Sequence, residues 1–498
     1  MKEPNYYSHN SRVQAYLEQR KSLGVSCNTY ALEDTIDSIA SGHAWSYQVM
    51  SYQGAPSVDF SNLRPASAQL STGGTSSGAV SFMYPLDAIV STMRRSEKKN
   101  GAGIAYLSWD HPELDSFLAA DFKQMYKAVY VPAVDTTEAE MFLANPELVQ
   151  KLANAYDDFN CFLVKRPLPV RGEPLYTNLC TEVEIPHKGS CILGAHNLAA
   201  YDWDTLYDLP LHFTASALRL NDIKNLVLHD LKNSPLACES PLNNQIGLTL
   251  FGLSSLLGRL NVTYSSFRDA LGYLVSGTEN FMELERRYLS LPSNVEDNYE
   301  LAYLIALAYH SASVALRLND PDLRAAFCIQ PTVSTAQRSF DLEGYQVSPE
   351  IQPVVGLKTG DGVKTIIKSA VKGDAYITYH PKTWTIDEVS YNTYAETSGF
   401  WQQLMNMTGL AHRHSHCFYG ERFTANDIYR WYRVNPYKDI RSYYYRLSNK
   451  SNVVSLKKDV LWQDVSENEL FDDNELESFI TKHRIKQEKG AIECACEN

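Results

Sequence analysis

An amide, a thiol and a carboxylate alternate at Asn178, Cys180 and Glu182. In an extended segment, residues i, i+2 and i+4 point to the same face. The three groups would then converge on one substrate. A second thiol, Cys191, follows eleven residues after Cys180. The alternative is a strand whose cysteine only fills the core.

Two further thiols, Cys494 and Cys496, lie within the last five residues. The segment before them is acidic and polar, which predicts a mobile tail. A dithiol on such a tail suits thiol–disulfide exchange, which needs an accessible attacking sulfur. A chance pair and a weak metal site are the alternatives.

Three segments are rich in glycine or in hydroxyl-bearing residues, which allow close backbone approach and supply hydrogen bonds. Gly73, Gly74 and Gly78 lie among hydroxyls in residues 71–83, and 98–104 is a second glycine-containing loop. In residues 331–336 (PTVSTA), hydroxyls could hold phosphate at a helix N-terminus. Ordinary helix capping is the alternative for the third segment.

Histidines alternate at His412, His414 and His416, followed by Cys417. Alternate histidines on one strand can converge on a metal ion. We favour a solvated polar strand, or a surface on which the tail docks, and expect no metal.

Composition limits the classes of function. The chain has 498 residues, 44% of them hydrophobic, and a formal charge of −13, which argues against non-specific nucleic-acid binding. The first 20 residues lack the apolar core of an export signal, and no apolar run reaches the roughly 20 residues of a membrane span. Nine cysteines at scattered spacings are not a disulfide framework, so we expect a cytoplasmic protein with reduced thiols.

Helical and strand patterns alternate along some 400 residues, which favours an α/β architecture with much parallel sheet. The predicted helices are 11–21, 32–39, 138–155, 245–260, 264–276 and 299–317. The predicted strands are 104–109, 127–134, 227–228, 365–368 and 375–379.

These pieces, in this order, resemble the large, catalytic (α) subunit of ribonucleotide reductase from about residue 24 to residue 449, plus the terminal cysteines. The matching segments are Gly24–Cys27 with 34–39, the Ser/Gly-rich 71–83, Arg94 to Leu118 with its Trp-Asp-His-Pro, Asn178–Glu182, Cys191 with 192–198, Asn243–Leu260 read as a core helix, and the tyrosines after Ser442. The Asn-Leu-Cys-Thr-Glu motif is the most specific of them.

The resemblance implies a ten-stranded α/β barrel of two five-stranded parallel halves with a central finger loop. It divides the chain into a short helical segment (1–24), the catalytic barrel (25–460) and a flexible tail with redox cysteines (461–498).

The resemblance also implies the chemistry. Cys180 becomes a thiyl radical that abstracts the 3′-hydrogen of a ribonucleotide, Glu182 takes the 3′-OH proton, and Asn178 orients the substrate. Cys27 and Cys191 supply two electrons and close a disulfide. Cys494 and Cys496 would reduce that disulfide again, drawing on thioredoxin or glutaredoxin.

Binding residues carry over by position. Ser26 and the phosphate segment, with Pro331, Thr332, Ser334 and Thr335, would hold the substrate. Asp34 and Arg64 would bind a deoxynucleoside triphosphate effector at the interface of a homodimer, and residues 96–103 would carry the signal to the substrate base.

The sequence departs from common members of the family in three respects. Only 26 residues precede Cys27, so we expect no ATP-binding cone. The terminal Cys-x-Cys is tighter than usual, and the phosphate segment matches only approximately. The compact layout resembles α subunits of bacteriophages, for which the location would be the host cytoplasm.

The radical source has two candidates. Tyr444 and Tyr445 favour a separate ferritin-like metal subunit that delivers the radical, with no cofactor bound in this chain. The alternative is adenosylcobalamin bound directly by this enzyme. A non-catalytic nucleotide-binding paralogue is a third possibility, against which the complete set of thiols and Glu182 argues. Substrate as diphosphate or triphosphate stays open, and neither nucleic acid nor membrane is expected as a partner.

Overall fold

The computed structural model describes residues 6–19, 22–93, 101–158, 160–292, 296–329, 363–368, 375–380, 389–419, 422–447, 453–456, 470–471 and 484–486. Its strands are β1 Tyr7–His9, β2 Cys27–Ala31, β3 Ala55–Asp59, β4 Ile104–Ser108, β5 Tyr126–Val131, β6 Phe162–Lys165, β7 Tyr176–Thr177, β8 Glu184–Ile185, β9 Leu193–Asn197, β10 Gln245–Phe251, β11 Ala325–Ile329, β12 Val363–Lys368, β13 Ala375–His380, β14 Ala411–Tyr419, β15 Ser442–Leu447, β16 Val453–Leu456, β17 Leu470–Phe471 and β18 Arg484–Lys486.

Its α-helices are α1 Ser11–Leu17, α2 Ile36–Ser51, α3 Ala79–Thr92, α4 Leu114–Ala119, α5 Thr137–Leu143, α6 Pro146–Asp157, α7 Leu209–Leu231, α8 Leu253–Leu260, α9 Tyr264–Val275, α10 Phe281–Leu289, α11 Asp297–Asn319, α12 Tyr391–Met407 and α13 Ala425–Arg433. Short 3-10 helices lie at Leu198–Ala200, Leu206–Asp208, Pro241–Asn243 and Tyr437–Asp439.

The main sheet consists of two parallel halves. Strands β2 to β6 pair in parallel in chain order, and β9, β10, β11, β14 and β15 form the second parallel set. Strands β2 to β6 and β9 to β11 are buried almost throughout, as expected for parallel strands that are covered on both faces of the sheet. The expected barrel of two five-stranded halves is confirmed, with β1 added antiparallel to β9 as an eleventh strand.

The halves meet antiparallel at two seams. At one seam, β15 pairs with β6, where Ser442 lies opposite Val164. At the other, the Ser26 N–H donates to the Cys191 carbonyl at 3.2 Å and the Cys191 N–H donates to the Cys27 carbonyl at 2.9 Å. The second seam closes the barrel and brings two distant cysteines side by side.

A buried lysine crosslinks the first seam. The Lys165 ammonium donates to the carbonyls of Trp431, Lys438 and Ile440 at 3.0–3.2 Å and lies 4.5 Å from the centre of the Trp431 ring. Burial lowers the Lys165 pKa well below its usual value. The three carbonyls supply the partners that a buried ammonium requires.

Between the halves, the hairpin β7–β8 pairs Tyr176 with Ile185 and Thr177 with Glu184. Its tip, residues 178–183, is buried inside the barrel. This hairpin is the expected finger loop.

Several predicted elements differ from the structure. The helix expected over 245–260 is strand β10 followed by helix α8, because residues 245–251 pair with β9 and β11 and are buried throughout. The strand expected at 227–228 lies inside helix α7. The helix expected over 138–155 is two helices, because Asn145 caps α6 and Pro146 is its first residue.

The domain boundaries stay predictions. Helix α1 lies in the segment 1–24, and β17 and β18 lie in the expected tail, where they join a five-stranded antiparallel sheet with β12, β13 and β16.

Helix α11 is the one helix in the described residues that is long and apolar enough to cross a membrane. It packs along α7, with Leu301, Ile305, Tyr309 and Ala312 buried in the main hydrophobic core. A core helix of a folded domain passes the same test of length and composition.

Candidate active site

Asn178 organises the tip of the finger loop. Its side-chain N–H donates to Glu182 Oε1 at 3.0 Å, and its Oδ1 accepts from the Val183 N–H at 3.0 Å. The Thr181 N–H donates to the Asn178 carbonyl at 3.1 Å, which closes a turn. The extended segment expected over 178–182 is therefore wrong, and a turn is what joins Asn178 to Glu182.

Tyrosines of the first half fix the finger. The Tyr106 hydroxyl donates to the Asn178 carbonyl at 2.7 Å, and the Tyr130 hydroxyl accepts from the Thr177 N–H at 2.8 Å. Their rings stack with centroids 4.5 Å apart. Neither tyrosine stands out in the sequence, because each looks like an ordinary aromatic strand residue.

The second half holds the finger through Arg413. Its backbone N–H donates to the Glu182 carbonyl at 2.9 Å, and its guanidinium pairs with Glu184 Oε1 at 2.8 Å. The Glu184 carbonyl accepts from the Arg324 guanidinium. Sequence reasoning missed Arg413, although it alternates with the three histidines of β14 and so had to face the opposite side of the strand.

Glu182 is fully buried, and burial raises its carboxyl pKa to about 8, with Cys27 adding to the shift and the Asn178 hydrogen bond opposing it. Glu182 Oε2 has no hydrogen-bond partner among the described residues. A carboxyl with one anchored and one open oxygen, and a pKa near neutrality, suits a general base.

Cys27 and Cys191 are buried thiols in contact with each other. The Cys27 N–H donates to Cys191 Sγ at 3.1 Å. Burial, and next the hydrogen bond with Cys27, hold the Cys191 pKa well above its usual value. Cys191 therefore stays protonated at neutral pH.

Cys180 lies at the finger tip with its side chain fully buried. It is disulfide-bonded in this structure, so any chemistry of its thiol requires the reduced form. The turn at Asn178 sets the positions of both Cys180 and Glu182. Glu182 lies close enough to Cys27 for an electrostatic interaction between the two side chains.

Three of the residues expected to bind substrate or effector, Ser26, Asp34 and Arg64, lie in the part of the chain that the structure describes. Ser26 is buried beside Cys27, and its hydroxyl has no partner among the described residues. Asp34 and Arg64 form an ion pair of 2.6 Å. Their neighbours Glu33, Thr35 and Asn62 line a cleft of about 550 Å³, which is large enough for a small ligand.

Other expected sites lie outside the described residues. These are Pro331, Thr332, Ser334, Thr335, Cys494, Cys496 and most of the loop 96–103. In the Ser/Gly-rich segment, Gly78 packs against Glu113, whose carboxylate accepts the hydrogen bond of the Ala79 N–H at the start of α3. That helix N-terminus is therefore occupied by a carboxylate of the chain itself.

Among the tyrosines, Tyr444 is fully buried and its ring lies 4.4 Å from that of Phe162. Tyr443 lies in a different aromatic cluster, with rings of Trp431, Phe423 and His416 within 4.7–5.4 Å. The Tyr445 side chain lies outside the described part.

The solvated strand expected at the three histidines is wrong. His412, His414 and His416 are buried. The Gln402 side chain binds the backbone at His412 and His414, and Ser398 bonds to the rings of His414 and His416. Burial keeps their pKa values low, so the rings are neutral. Within the described residues, no group of three His, Cys, Asp or Glu side chains could hold a metal ion.

The chain is similar in sequence to ribonucleotide reductases. Residues 25–148 match the family model "Ribonucleotide reductase, barrel domain". Vitamin B12-dependent ribonucleoside-diphosphate reductases of Mycobacterium tuberculosis and Thermoplasma acidophilum are 27% identical over 282 residues and 24% identical over 253 residues, covering 49% and 43% of this chain. The chain spans 40% and 32% of the length of these two relatives.

Among solved structures, the class Id ribonucleotide reductase α subunit of Actinobacillus ureae is similar, with a TM-score of 0.59. The match covers 89% of this chain and 87% of that one, at 17% identity. This likeness shows a shared fold.

Proposed function

We propose that this chain, whose residues 25–148 match the ribonucleotide reductase barrel domain, reduces ribonucleotides to 2′-deoxyribonucleotides through a thiyl radical on Cys180. One observation carries the proposal. The finger loop and the closing seam of the barrel bring Glu182 close to Cys27 and Cys191, and Cys180 is buried two residues from Glu182 in the same loop. A buried site protects a radical from water and oxygen.

In the proposed reaction, the Cys180 thiyl radical takes the 3′-hydrogen of the ribose and becomes a thiol. Glu182, which Asn178 holds by one oxygen, removes the 3′-OH proton with the other. The 2′-OH leaves as water after it takes a proton from Cys27 or Cys191. These two thiols supply two electrons and two protons in all and form one disulfide: one proton leaves with the 2′-OH as water, and the other proton and the two electrons end at C2′. Glu182 returns its proton to the 3′-oxygen, and Cys180 returns the hydrogen atom to C3′, which regenerates the thiyl radical.

Adenosylcobalamin is the radical source that we propose. Support comes from the relatives, whose names state dependence on vitamin B12, whereas the tyrosines pointed to a ferritin-like partner. When bound, this cofactor supplies a carbon-centred radical by homolysis of its cobalt–carbon bond. Once reduced, Cys180 is the buried thiol at the tip of the hairpin that would receive this radical.

We also propose roles for the residues that would bind substrate, effector and reductant. Ser26 and the segment 331–336 would bind the substrate, and the cleft beside Asp34 and Arg64 would take a deoxynucleoside triphosphate effector. Cys494 and Cys496 would pass electrons from thioredoxin or glutaredoxin to Cys27 and Cys191. A homodimer and a cytoplasmic location also stay predictions.

The test is an assay of the reduced chain with CDP and CTP separately, with and without adenosylcobalamin, in the absence of oxygen. Deoxycytidine nucleotide should form with the cofactor and dithiothreitol. Cys180→Ala should lower the rate by at least roughly a thousandfold, because no other group replaces the radical sulfur. Cys161→Ala removes a buried thiol on another part of the barrel and should leave the rate near wild type. Equal rates in the Cys180→Ala variant and the wild type would rule out the assignment.

A further inference from the structure

Thr181, between Cys180 and Glu182, has a left-handed backbone with φ of 65°. A β-branched residue rarely adopts this conformation, because its Cβ substituents crowd the neighbouring carbonyl. Such strain persists only where surrounding contacts over-determine it. The contacts of Thr181 are therefore informative about what the tip of the finger requires.

Two hydroxyls of the second barrel half hold the Thr181 side chain. Thr181 Oγ1 lies 3.1 Å from Ser415 Oγ on β14 and 2.8 Å from Ser442 Oγ on β15. All three residues are buried. Ser415 also donates its hydroxyl hydrogen to the Cys180 carbonyl.

Counting hydrogens fixes the direction of this chain of hydroxyls. A serine hydroxyl has one hydrogen, and that of Ser415 is used on the Cys180 carbonyl, which can only accept. Thr181 must then donate to Ser415, and Ser442 must donate to Thr181. We call Ser442, Thr181 and Ser415, linked in this order to the Cys180 carbonyl, the hydroxyl clamp.

We propose that Thr181 is a positioning residue, whose clamped hydroxyl holds the left-handed turn that directs Cys180 and Glu182 into the site. This inference rests on the proposed function for its kinetic consequence, but the turn itself can be tested without turnover. The Arg413 N–H binds the Glu182 carbonyl on the other side of Thr181. Both residues that flank Thr181 are thus anchored to β14 through their carbonyls.

The variants are chosen to separate the hydroxyl from the shape. Thr181→Val keeps the β-branched shape and removes the hydroxyl. Thr181→Ser keeps the hydroxyl, and Ser442→Ala removes the first donor of the clamp. Thr177→Val is the matched control, because Thr177 is a buried threonine of the same hairpin whose hydroxyl is not part of the clamp.

The kinetic readout is the split between kcat and KM. Thr181→Val should lower kcat by roughly tenfold or more with KM changed by less than about twofold, since the clamp touches Cys180 and not the substrate. Thr181→Ser should restore kcat to within about threefold of wild type. A loss caused only by poorer folding would lower the amount of active enzyme and the thermal midpoint, and Thr181→Ser would not correct it selectively.

The second readout needs no activity. In the reduced chain, iodoacetamide should alkylate Cys180 roughly fivefold faster in Thr181→Val and Ser442→Ala than in wild type, and no faster in Thr177→Val, by peptide mass spectrometry. If wild type makes no deoxynucleotide, the proposed function fails, and alkylation alone decides on the clamp. If Thr181→Val does not fold, the alkylation rate of Cys180 in Ser442→Ala tests the clamp instead. Wild-type kcat together with wild-type alkylation in the folded clamp variants would overturn the inference.

Discussion

Cys27 and Cys191 are 164 positions apart in the chain, yet the backbone N–H of Cys27 donates to Cys191 Sγ at 3.1 Å. The contact lies at the seam where the first strand of one barrel half meets the start of the other half. Two thiols in this arrangement can become a disulfide with little movement of the backbone.

The first prediction follows from that contact. A single turnover of reduced enzyme should leave one Cys27–Cys191 disulfide, detectable by peptide mass spectrometry. Cys191→Ser should lower product formation by roughly a hundredfold or more, because the second electron donor is gone. Cys161→Ser should react like wild type. A full yield of product from Cys191→Ser would contradict the assignment.

Glu182 should give a pH-dependent rate. Because its pKa is raised to about 8, the carboxylate needed as a base is a minority form at pH 7, and the rate should rise as pH increases through about 8. Glu182→Gln should abolish this rise together with nearly all activity. A flat wild-type profile between pH 6 and 9, measured with substrate at saturation, would argue against this base.

The same carboxyl predicts a change in stability. Its pKa is near 4.5 in a model compound and about 8 in the folded protein, so between these values the folded state keeps a proton that the unfolded state loses. Stability therefore falls as pH rises through this window. From pH 5 to pH 9, wild type should lose about 4 kcal/mol more than Glu182→Gln. Urea unfolding of both chains at the two pH values measures the difference, and parallel behaviour would contradict the shift.

The activity of the Tyr444→Phe variant distinguishes the two candidate radical sources. With adenosylcobalamin as the source, Tyr444→Phe should keep kcat within about threefold of wild type, because a radical supplied by a cofactor of this chain would need no phenol relay from a partner subunit. Tyr443→Phe, in the neighbouring aromatic cluster, is the control for packing. Loss of activity in Tyr444→Phe alone, with unchanged substrate binding, would favour a relay from a metal subunit.

Asp34 and Arg64 should matter for regulation more than for stability. Their side chains are 35% and 36% exposed, and exposed ion pairs contribute at most about 1 kcal/mol. Asp34→Ala should leave the thermal midpoint nearly unchanged but remove the effect of deoxynucleoside triphosphates on the ratio of products from mixed substrates. Asp115→Ala breaks another surface pair, with Lys151, and should keep that effect. An unchanged effector response in Asp34→Ala would exclude this site.

The sequence by itself predicted the resemblance to ribonucleotide reductases, the type of fold and the candidate residues of the site. The motif around Cys180 is specific, and it is recognised from residue types and spacing even where the predicted secondary structure is wrong. Long periodic segments such as helix α11 were also predictable, because amphipathic periodicity is local. The exchange of strand for helix at Gln245–Phe251 shows where local information ends, since an apolar run buried on both faces has no periodicity to read.

Only the tertiary structure decided how the site is assembled. Closure of the barrel brings Cys27 to Cys191, and the hydrogen bonds of Asn178 replace the expected extended segment with a turn. Burial of His412, His414 and His416 against α12 could not be read from their polarity, because their partners lie on another element. The hydroxyl clamp joins three distant segments through Thr181, Ser415 and Ser442. Contacts of this kind depend on chain closure over hundreds of residues, which residue types and spacing do not specify.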